Sequence, residues 1–408
     1  MISSHQNILK VCALFIGLLT NIPYGLMLGW PSPTFPTLIS AESPVPITLD
    51  QSALVAGFLT LGYISSMFTP SLSKYTEYGV VTGVLFMLGG WLTMYMAFNF
   101  ETIIVSRFLI GLGYGINLVH LKHLINEVLF LPQVKLFDKI ISCFVLSGFV
   151  LSYIIGPRVS FKLFSIICVV VTTIIFTCAI VLPIILLHIR SNCEKNLLSI
   201  KDLFICDNNN VISAIKKGLA WRRLLVIVLT SFLQQFCGFP ASLVYTQLIF
   251  KLFGLRRPED YALVYAIIYC FVFLICLFSE RHSKINCRVT IIVSSIFISL
   301  CLCAEAAVLF FDVDKLFWSY TSFSIMILFC ICHTAGISTV TGRLTVTYFE
   351  DSDVQKFASN CQLFCLLIFA LTGTKTFQII LGLFGLTCAF LFCLCISLLF
   401  IVFAILFI

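Results

Sequence analysis

The sequence predicts an all-α polytopic membrane protein with twelve transmembrane helices. Of its 408 residues, 60% are hydrophobic and only 11% are charged, and the mean hydropathy is +1.09. Soluble chains usually carry about 45–50% apolar and about 25% charged residues, so this composition excludes a soluble globular protein. Because one span needs about 20 apolar residues, twelve spans use most of the chain and leave no large soluble domain.

The apolar segments fall into two sets of six, separated by one polar segment. The predicted spans are 9–30, 52–73, 79–98, 103–126, 140–157, 163–188, 224–250, 261–279, 289–311, 317–342, 357–380 and 382–404. Residues 189–223 contain seven Lys and Arg residues, a density of charge that a membrane span does not tolerate. We therefore predict an N-terminal six-helix bundle (1–188), a central loop (189–223) and a C-terminal six-helix bundle (224–408).

The distribution of Lys and Arg predicts the orientation. With the N-terminus in the cytoplasm, 16 of the 25 Lys and Arg residues fall inside and eight outside, and Lys122 lies within a span. The positive-inside rule therefore predicts that both termini and the central loop are cytoplasmic. The expected location is the plasma membrane. We interpret the basic loop as a determinant of orientation and a contact for anionic lipid, not as a nucleic-acid site.

The sequence gives no sign of an enzyme, a metal site or a cofactor site. The 19 cysteines follow no disulfide or metal-ligand spacing, and we interpret them as reduced packing residues. Gly111-Leu112-Gly113-Tyr114-Gly115 superficially resembles a nucleotide loop, but it lies inside an apolar span. Close packing of helices explains these glycines better than phosphate binding.

The most informative motif begins the second set of spans. The segment Gln234–Pro240, followed by Tyr245, resembles the Q-Q-x-x-G-I-N…Y signature of the sugar porter family of the major facilitator superfamily. In that family the glutamines bind sugar hydroxyls, a role that suits an amide with two donors and one acceptor. The resemblance implies that Gln234, Gln235, Gly238 and Tyr245 form the substrate site. The alternative is that the amides only link neighbouring helices.

Further motifs of the family follow in the same order from about residue 10 to residue 400. They include Tyr24-Gly25, Gly29–Pro33, and Arg107 followed by the glycines of 111–115. The phrase Thr374–Gln378, together with Gly29–Pro33, is most similar to facilitated trehalose transporters of insects. The resemblance implies two helical bundles with a site between them near the midplane, reached by alternating access.

The resemblance also implies ion pairs at the cytoplasmic side that control opening. Glu127 and Lys135 match one such pair, and Glu280, Arg281 and Lys284 match the other motif. Charge pairing of this kind favours the outward-open state and is released when the inner side opens.

Several family positions have changed. Gly79-Val80-Val81 replaces the G-R-R motif, and Arg343 stands near the tryptophan of a span-ten motif. Among the expected sugar contacts, Pro240 replaces an asparagine, while Ser142, Ile268 and Leu366 lie near other polar positions; Gln362, one turn before Leu366, is a candidate replacement. Each lost hydroxyl partner costs about 1–3 kcal/mol, so several losses weaken binding.

The ionisable residues considered for a function within the membrane are His120, Lys122, His123, Glu305 and His333. We interpret His120, Lys122 and His123 as snorkelling or ion-paired groups near the cytoplasmic end. Glu305 is interpreted as interfacial, because it lies close to the outer end of its span. His333 lies deep in span ten, where a packed and hydrogen-bonded histidine is preferred over a substrate or proton site.

These observations lead to a functional prediction with one main alternative. We predict facilitated diffusion of a neutral sugar, trehalose or a hexose, without a cofactor; the sugar and the bilayer are the expected partners. Span one has no acid between Lys10 and Glu42, whereas proton-coupled sugar porters usually have an aspartate there. The alternative is a non-transporting sensor or interaction protein, or a decayed gene copy. A seven-helix receptor or channel disagrees with the number of spans.

Overall fold

The computed structural model describes residues 2–68, 76–128, 131–191, 219–279, 286–311, 315–349 and 352–408, and all regular structure in these ranges is helical. The chain divides into two compact units, 1–202 and 203–408. Most of the predicted central loop lies outside the described residues. Its cytoplasmic location therefore stays a prediction.

The first unit contains nine α-helices and a short 3-10 turn at Gly156–Arg158 in its described part. The helices are α1 (Ile2–Leu19), α2 (Ile22–Gly29), α3 (Pro31–Leu38), α4 (Leu49–Ser66), α5 (Thr76–Tyr95), α6 (Phe100–Val128), α7 (Leu131–Ile155), α8 (Phe161–Ile180) and α9 (Leu182–Ser191). A capping box begins α4. The backbone N–H of Gln51 donates to Thr48 Oγ1 (3.1 Å), and the backbone N–H of Thr48 donates to Gln51 Oε1 (2.9 Å). These bonds satisfy backbone donors that have no partner within the helix.

The second unit contains eight described α-helices and one π-helix. The helices are α10 (Leu219–Phe236), α11 (Phe239–Val244), α12 (Thr246–Leu252), α13 (Pro258–Ser279), α14 (Cys287–Phe311), α15 (Lys315–Cys332), α16 (Thr339–Tyr348) and α17 (Ser352–Phe407). The π-helix His333–Ser338 joins α15 to α16. Helix α17 changes direction at Gly385, which has a left-handed φ of 83°.

The described helices account for the twelve predicted spans. Ten helical segments within the described residues are long and apolar enough to cross a membrane. One of them, Val354–Phe407, has 54 residues, about twice the length of one span, and the break at Gly385 divides it. Helix α4 corresponds to the predicted second span, which is not among the ten. The fold is therefore the predicted all-helical membrane architecture.

Close approach of α6 to its two neighbours explains the glycine-rich motif of span four. A Cβ added at Gly111 would overlap the Leu59 carbonyl oxygen on α4, and one at Gly115 would overlap Ser66 Oγ. A Cβ at Gly113 would lie 2.5 Å from the Gly83 carbonyl oxygen on α5. The prediction that these glycines serve helix packing is confirmed, since only hydrogen fits at each position.

Arg107 links three helices inside the first unit. Its side chain is only 1% exposed and extends from α6. Nη1 donates to the Met27 carbonyl oxygen on α2 (3.3 Å), and Nη2 donates to the Ala56 carbonyl oxygen on α4 (3.4 Å). The guanidinium also lies over the Trp30 ring at 5.3 Å. Arg107 is therefore a buried structural group.

Candidate functional site

The two glutamines of the predicted signature lie in the last turn of α10. Gln234 is 5% exposed and Gln235 is 7% exposed, so both amides are removed from solvent. Gln234 Oε1 has no hydrogen-bond partner among the described residues. A buried acceptor without a partner costs about 1–3 kcal/mol, so this oxygen is well suited to accept a hydrogen bond from a ligand or a water molecule.

Gly238 follows the end of α10 and is the N-cap residue of α11. Its φ of 91° is in the left-handed region, which a residue with a Cβ enters only with strain. An added Cβ would also lie 2.6 Å from Cys393 Sγ. Pro240 then stands in the first turn of α11, where a missing N–H costs little. The family's asparagine is thus replaced by a residue that supports the bend but offers no polar side chain.

Tyr245 lies at a second break in the same span. Its backbone (φ −106°, ψ 19°) separates α11 from α12, while its N–H still donates to the Ala241 carbonyl oxygen at 2.9 Å. The side chain is 1% exposed. The structure therefore places Gln234, Gln235, Gly238 and Tyr245 along one span with two breaks; a direct contact of Tyr245 with substrate stays a prediction.

His333 is a polar group beside this span that the signature does not include. Its ring stacks on the Phe239 ring, with 4.1 Å between centroids and 13° between planes, and it is 2% exposed. The backbone of Gln234 lies beside the ring. Neither ring nitrogen, however, meets hydrogen-bond geometry with any group in the described part of the chain. His333 is packed as expected, and its ring interacts with the backbone of Gln234 at a geometry outside that of a regular hydrogen bond.

The π-helix at His333 positions this ring. A π-helix carries a wider turn than an α-helix and often marks a functional site. Within it, Gly336 packs directly on Ser294 of α14, since an added Cβ would overlap Ser294 Oγ. The hydropathy pattern does not distinguish this π-turn from a continuous α-helix.

Other positions that correspond to sugar contacts of the family provide fewer polar groups for a substrate. Gln362 is buried, and its Nε2 donates to the Thr341 carbonyl oxygen at 2.8 Å, so one of its two N–H donors is already used. Ser142 Oγ donates to the Asp138 carbonyl oxygen at 3.4 Å. Ile268 and Leu366 are half-buried and apolar. The polar groups near the substrate signature are thus fewer than in the family pattern.

Glu305 corrects one expectation. The prediction that it is interfacial is wrong, because its side chain is 1% exposed and neither carboxyl oxygen has a partner at regular hydrogen-bond geometry among the described residues. The cause is helical periodicity: Ile298, Cys301, Leu302 and Glu305 share the buried face of α14. The Ser322 hydroxyl of α15 lies beside the carboxyl group. The position of Glu305 near the end of its span did not predict that its side chain is buried.

The ionisable groups of span four confirm the prediction for Lys122 but not for His120, which is only 5% exposed and is neither snorkelling nor ion-paired among the described residues. Lys122 Nζ forms an ion pair with Asp138 Oδ1 on α7 at 3.6 Å, and both side chains are nearly half exposed. His120 Nδ1 lies 2.8 Å from the Ile116 carbonyl oxygen of its own helix. Its ring packs where a Cβ on Gly79 would overlap it. The predicted ion-paired interpretation is confirmed for Lys122, with Asp138 as the partner.

The predicted cytoplasmic ion pairs stay predictions. The backbones of Glu127 and Lys135 belong to α6 and α7, but their side chains lie outside the described part of the structure, as do Glu280, Arg281 and Lys284 entirely. One polar link missed by the sequence analysis joins α10 to the end of α16: Arg223 Nη1 donates to the Tyr348 carbonyl oxygen at 2.7 Å.

Comparison with solved structures identifies the fold. The chain superposes on a D-xylose-proton symporter with a TM-score of 0.73 at 13% identity, covering 98% of this chain and 97% of that one. The chain has the major facilitator fold. A second match is the xylose transporter XylE from E. coli, with a TM-score of 0.66 at 12% identity, covering 97% of this chain and 98% of that one. A third is a point mutant of the nucleoside transporter NupG, with a TM-score of 0.67 at 14% identity, covering 98% of each chain.

The sequence comparisons concern the C-terminal half. Residues 206–408 match the family model described as "Sugar (and other) transporter", and this range contains the whole signature from Gln234 to Tyr245. No curated protein matches the chain. The shared fold and the ten apolar helical segments of the described residues support an integral membrane protein.

Proposed function

We propose that this protein transports a neutral sugar across the membrane by facilitated diffusion. The observation that carries the proposal is the buried Gln234 amide, whose Oε1 has no partner among the described groups. It lies next to Gln235 and four residues before the left-handed break at Gly238, within the half that matches the sugar transporter model. A sugar hydroxyl is a donor and an acceptor, and therefore complements amide groups of this kind.

The proposal extends to mechanism and substrate size. Trehalose or a hexose moves down its gradient by alternating access, with the seventh span supplying Gln234 and Gln235 and the bends at Gly238 and Tyr245 shaping it. Uniport is supported by the first span, which has no acidic residue between Lys10 and Glu42. Both termini are proposed to be cytoplasmic. Glu127 is proposed to form an ion pair with Lys135, and Glu280 with Lys284, when the cytoplasmic side is closed.

A second candidate function is a sensor that keeps the fold without transport. It is favoured by the loss of polar side chains at Pro240, Ile268 and Leu366, together with the use of one Gln362 N–H donor by the backbone. A site with few hydroxyl partners binds weakly, and weak binding alone does not exclude transport.

Uptake by cells that express the chain tests the proposal. Labelled trehalose and glucose would be supplied over a range of concentrations and external pH values, with surface abundance measured in parallel. Saturable uptake that does not depend on pH supports facilitated transport. Absence of uptake by protein at the cell surface supports the sensor instead.

One variant and one control then test whether Gln234 belongs to the sugar-binding site. Gln234→Ala should raise the KM about tenfold, because one net hydrogen bond is worth about 1.4 kcal/mol. The control is Gln51→Ala, which also removes a glutamine side chain but changes only the cap of α4 in the other unit. Equal KM values for both variants and the wild type would contradict a role for Gln234 in sugar binding.

A further inference from the structure

We infer that His333 is a second hydroxyl-binding residue of the sugar site, acting together with Gln234. This inference rests on the proposed function and assigns a role to a residue outside the family's signature. Three buried polar atoms carry it: Nδ1 and Nε2 of His333 and Oε1 of Gln234. None of them has a partner at regular hydrogen-bond geometry in the described residues, and the imidazole interacts only with the nearby backbone of Gln234.

The chemistry of these atoms matches a sugar hydroxyl. A neutral imidazole offers one N–H donor and one nitrogen acceptor, and the Gln234 oxygen is a further acceptor. Each buried polar atom that lacks a partner destabilises the protein, so a group that supplies partners gains affinity from all three. A hydroxyl group can donate to one of these atoms and accept from another. A purely apolar substrate satisfies none of them.

Packing fixes the direction of the imidazole edge. One ring face lies on Phe239 at 4.1 Å, and the Phe329 ring lies 6.3 Å away at 38°. Phe239 is itself the first residue of α11, directly after the left-handed Gly238, and so belongs to the same bend as the glutamines. The ring nitrogens are therefore held without regular hydrogen bonds of their own to the described residues. A group oriented in advance loses less entropy when it binds a ligand.

The backbone connects His333 to the signature. His333 is the first residue of the π-helix, and the backbone of Gln234 lies beside its ring. The imidazole edge therefore lies close to the last turn of α10 within the second unit. The competing interpretation is a packing residue whose nitrogens bond only to trapped water, and the experiment must separate that interpretation from sugar binding.

The test measures which hydroxyl the residue recognises. Uptake of glucose and of its 2-, 3-, 4- and 6-deoxy analogues would be compared for the wild type, His333→Phe and His333→Gln. The phenyl ring preserves stacking on Phe239 but has no polar atoms, whereas glutamine restores a donor and an acceptor. His123→Phe is the matched control, since His123 is a half-buried histidine in the first unit.

The expected result is a change in discrimination. The wild type should prefer glucose over one deoxy analogue by about tenfold, the size of one hydrogen bond. His333→Phe should lose that preference at the same position only, and His333→Gln should recover part of it. An unchanged KM for every analogue, or an equal rise for all of them, would overturn the inference, because a packing role predicts no selective change.

The outcomes also separate the inference from the proposed function. If Gln234→Ala impairs uptake while His333→Phe keeps the full preference, transport stands and the role of His333 is wrong. If the wild type shows no uptake, the same analogues would be titrated into purified protein by calorimetry. Selective loss of binding in His333→Phe supports the inference even in a sensor, whereas absence of sugar binding by the wild type overturns both.

Discussion

The guanidinium of Arg107 lies 5.3 Å from the centre of the Trp30 ring, and both side chains are almost completely buried in the first unit. Arg107 forms no ion pair with the acids of the described residues. Its charge is instead stabilised by the face of an aromatic ring and by the carbonyl oxygens of Met27 and Ala56. The planar fork of arginine reaches two helices at once, which a single ammonium group does not.

Replacing Arg107 by lysine should therefore destabilise the protein although the charge is kept. The change removes the two-sided fork and the stacked guanidinium, and we expect a loss of about 1–3 kcal/mol in the free energy of unfolding. Thermal unfolding of the purified protein would measure it as a lower Tm. The control is Arg158→Lys: Arg158 donates to the Ile154 carbonyl oxygen at an exposed site, so its change should stay within about 0.5 kcal/mol. Equal Tm values for the two variants would contradict the structural role of Arg107.

Alanine at Gly111 should separate α6 from α4. The new methyl group would overlap the Leu59 carbonyl oxygen, so the helices must move apart, at a cost of about 1–3 kcal/mol. Gly89→Ala on α5 is the matched control, because nothing lies within 4 Å of a Cβ there. That substitution should leave stability unchanged or raise it by up to about 1 kcal/mol, through helix propensity. Surface abundance and Tm of both variants test this contrast; similar losses in both would show that the overlap is not the cause.

Sequence periodicity and motif order predicted the helical fold and the glycine contacts of span four, because both depend on local spacing. They did not predict that Glu305 is buried, since burial depends on which helix covers a given face of α14. The stacking of His333 on Phe239 likewise depends on a left-handed residue in one span and a π-turn in another. Such contacts between distant segments leave no regular pattern in one sequence.

The ion pair of Lys122 and Asp138 should contribute little to stability. Both side chains are nearly half exposed and their charged atoms are 3.6 Å apart, so solvent screens the attraction. Asp138→Asn is expected to change the free energy of unfolding by less than about 1 kcal/mol, with a smaller effect at high salt. Denaturation at low and high ionic strength measures both values. A loss well above about 1 kcal/mol that persists in salt would assign Asp138 a role beyond this pair.

Alanine at Gly238 should impair sugar uptake more than it impairs folding. A left-handed φ costs a residue with a Cβ about 1–2 kcal/mol, and the new methyl group would meet Cys393 Sγ at 2.6 Å. Either effect shifts the start of α11 and moves Phe239 relative to His333. We expect Gly238→Ala to raise the KM for sugar at near-normal surface abundance. Adding Cys393→Ala removes the steric contact but leaves the backbone strain, so the double variant should recover only in part. Full recovery would show that the left-handed conformation at Gly238 does not matter for the site.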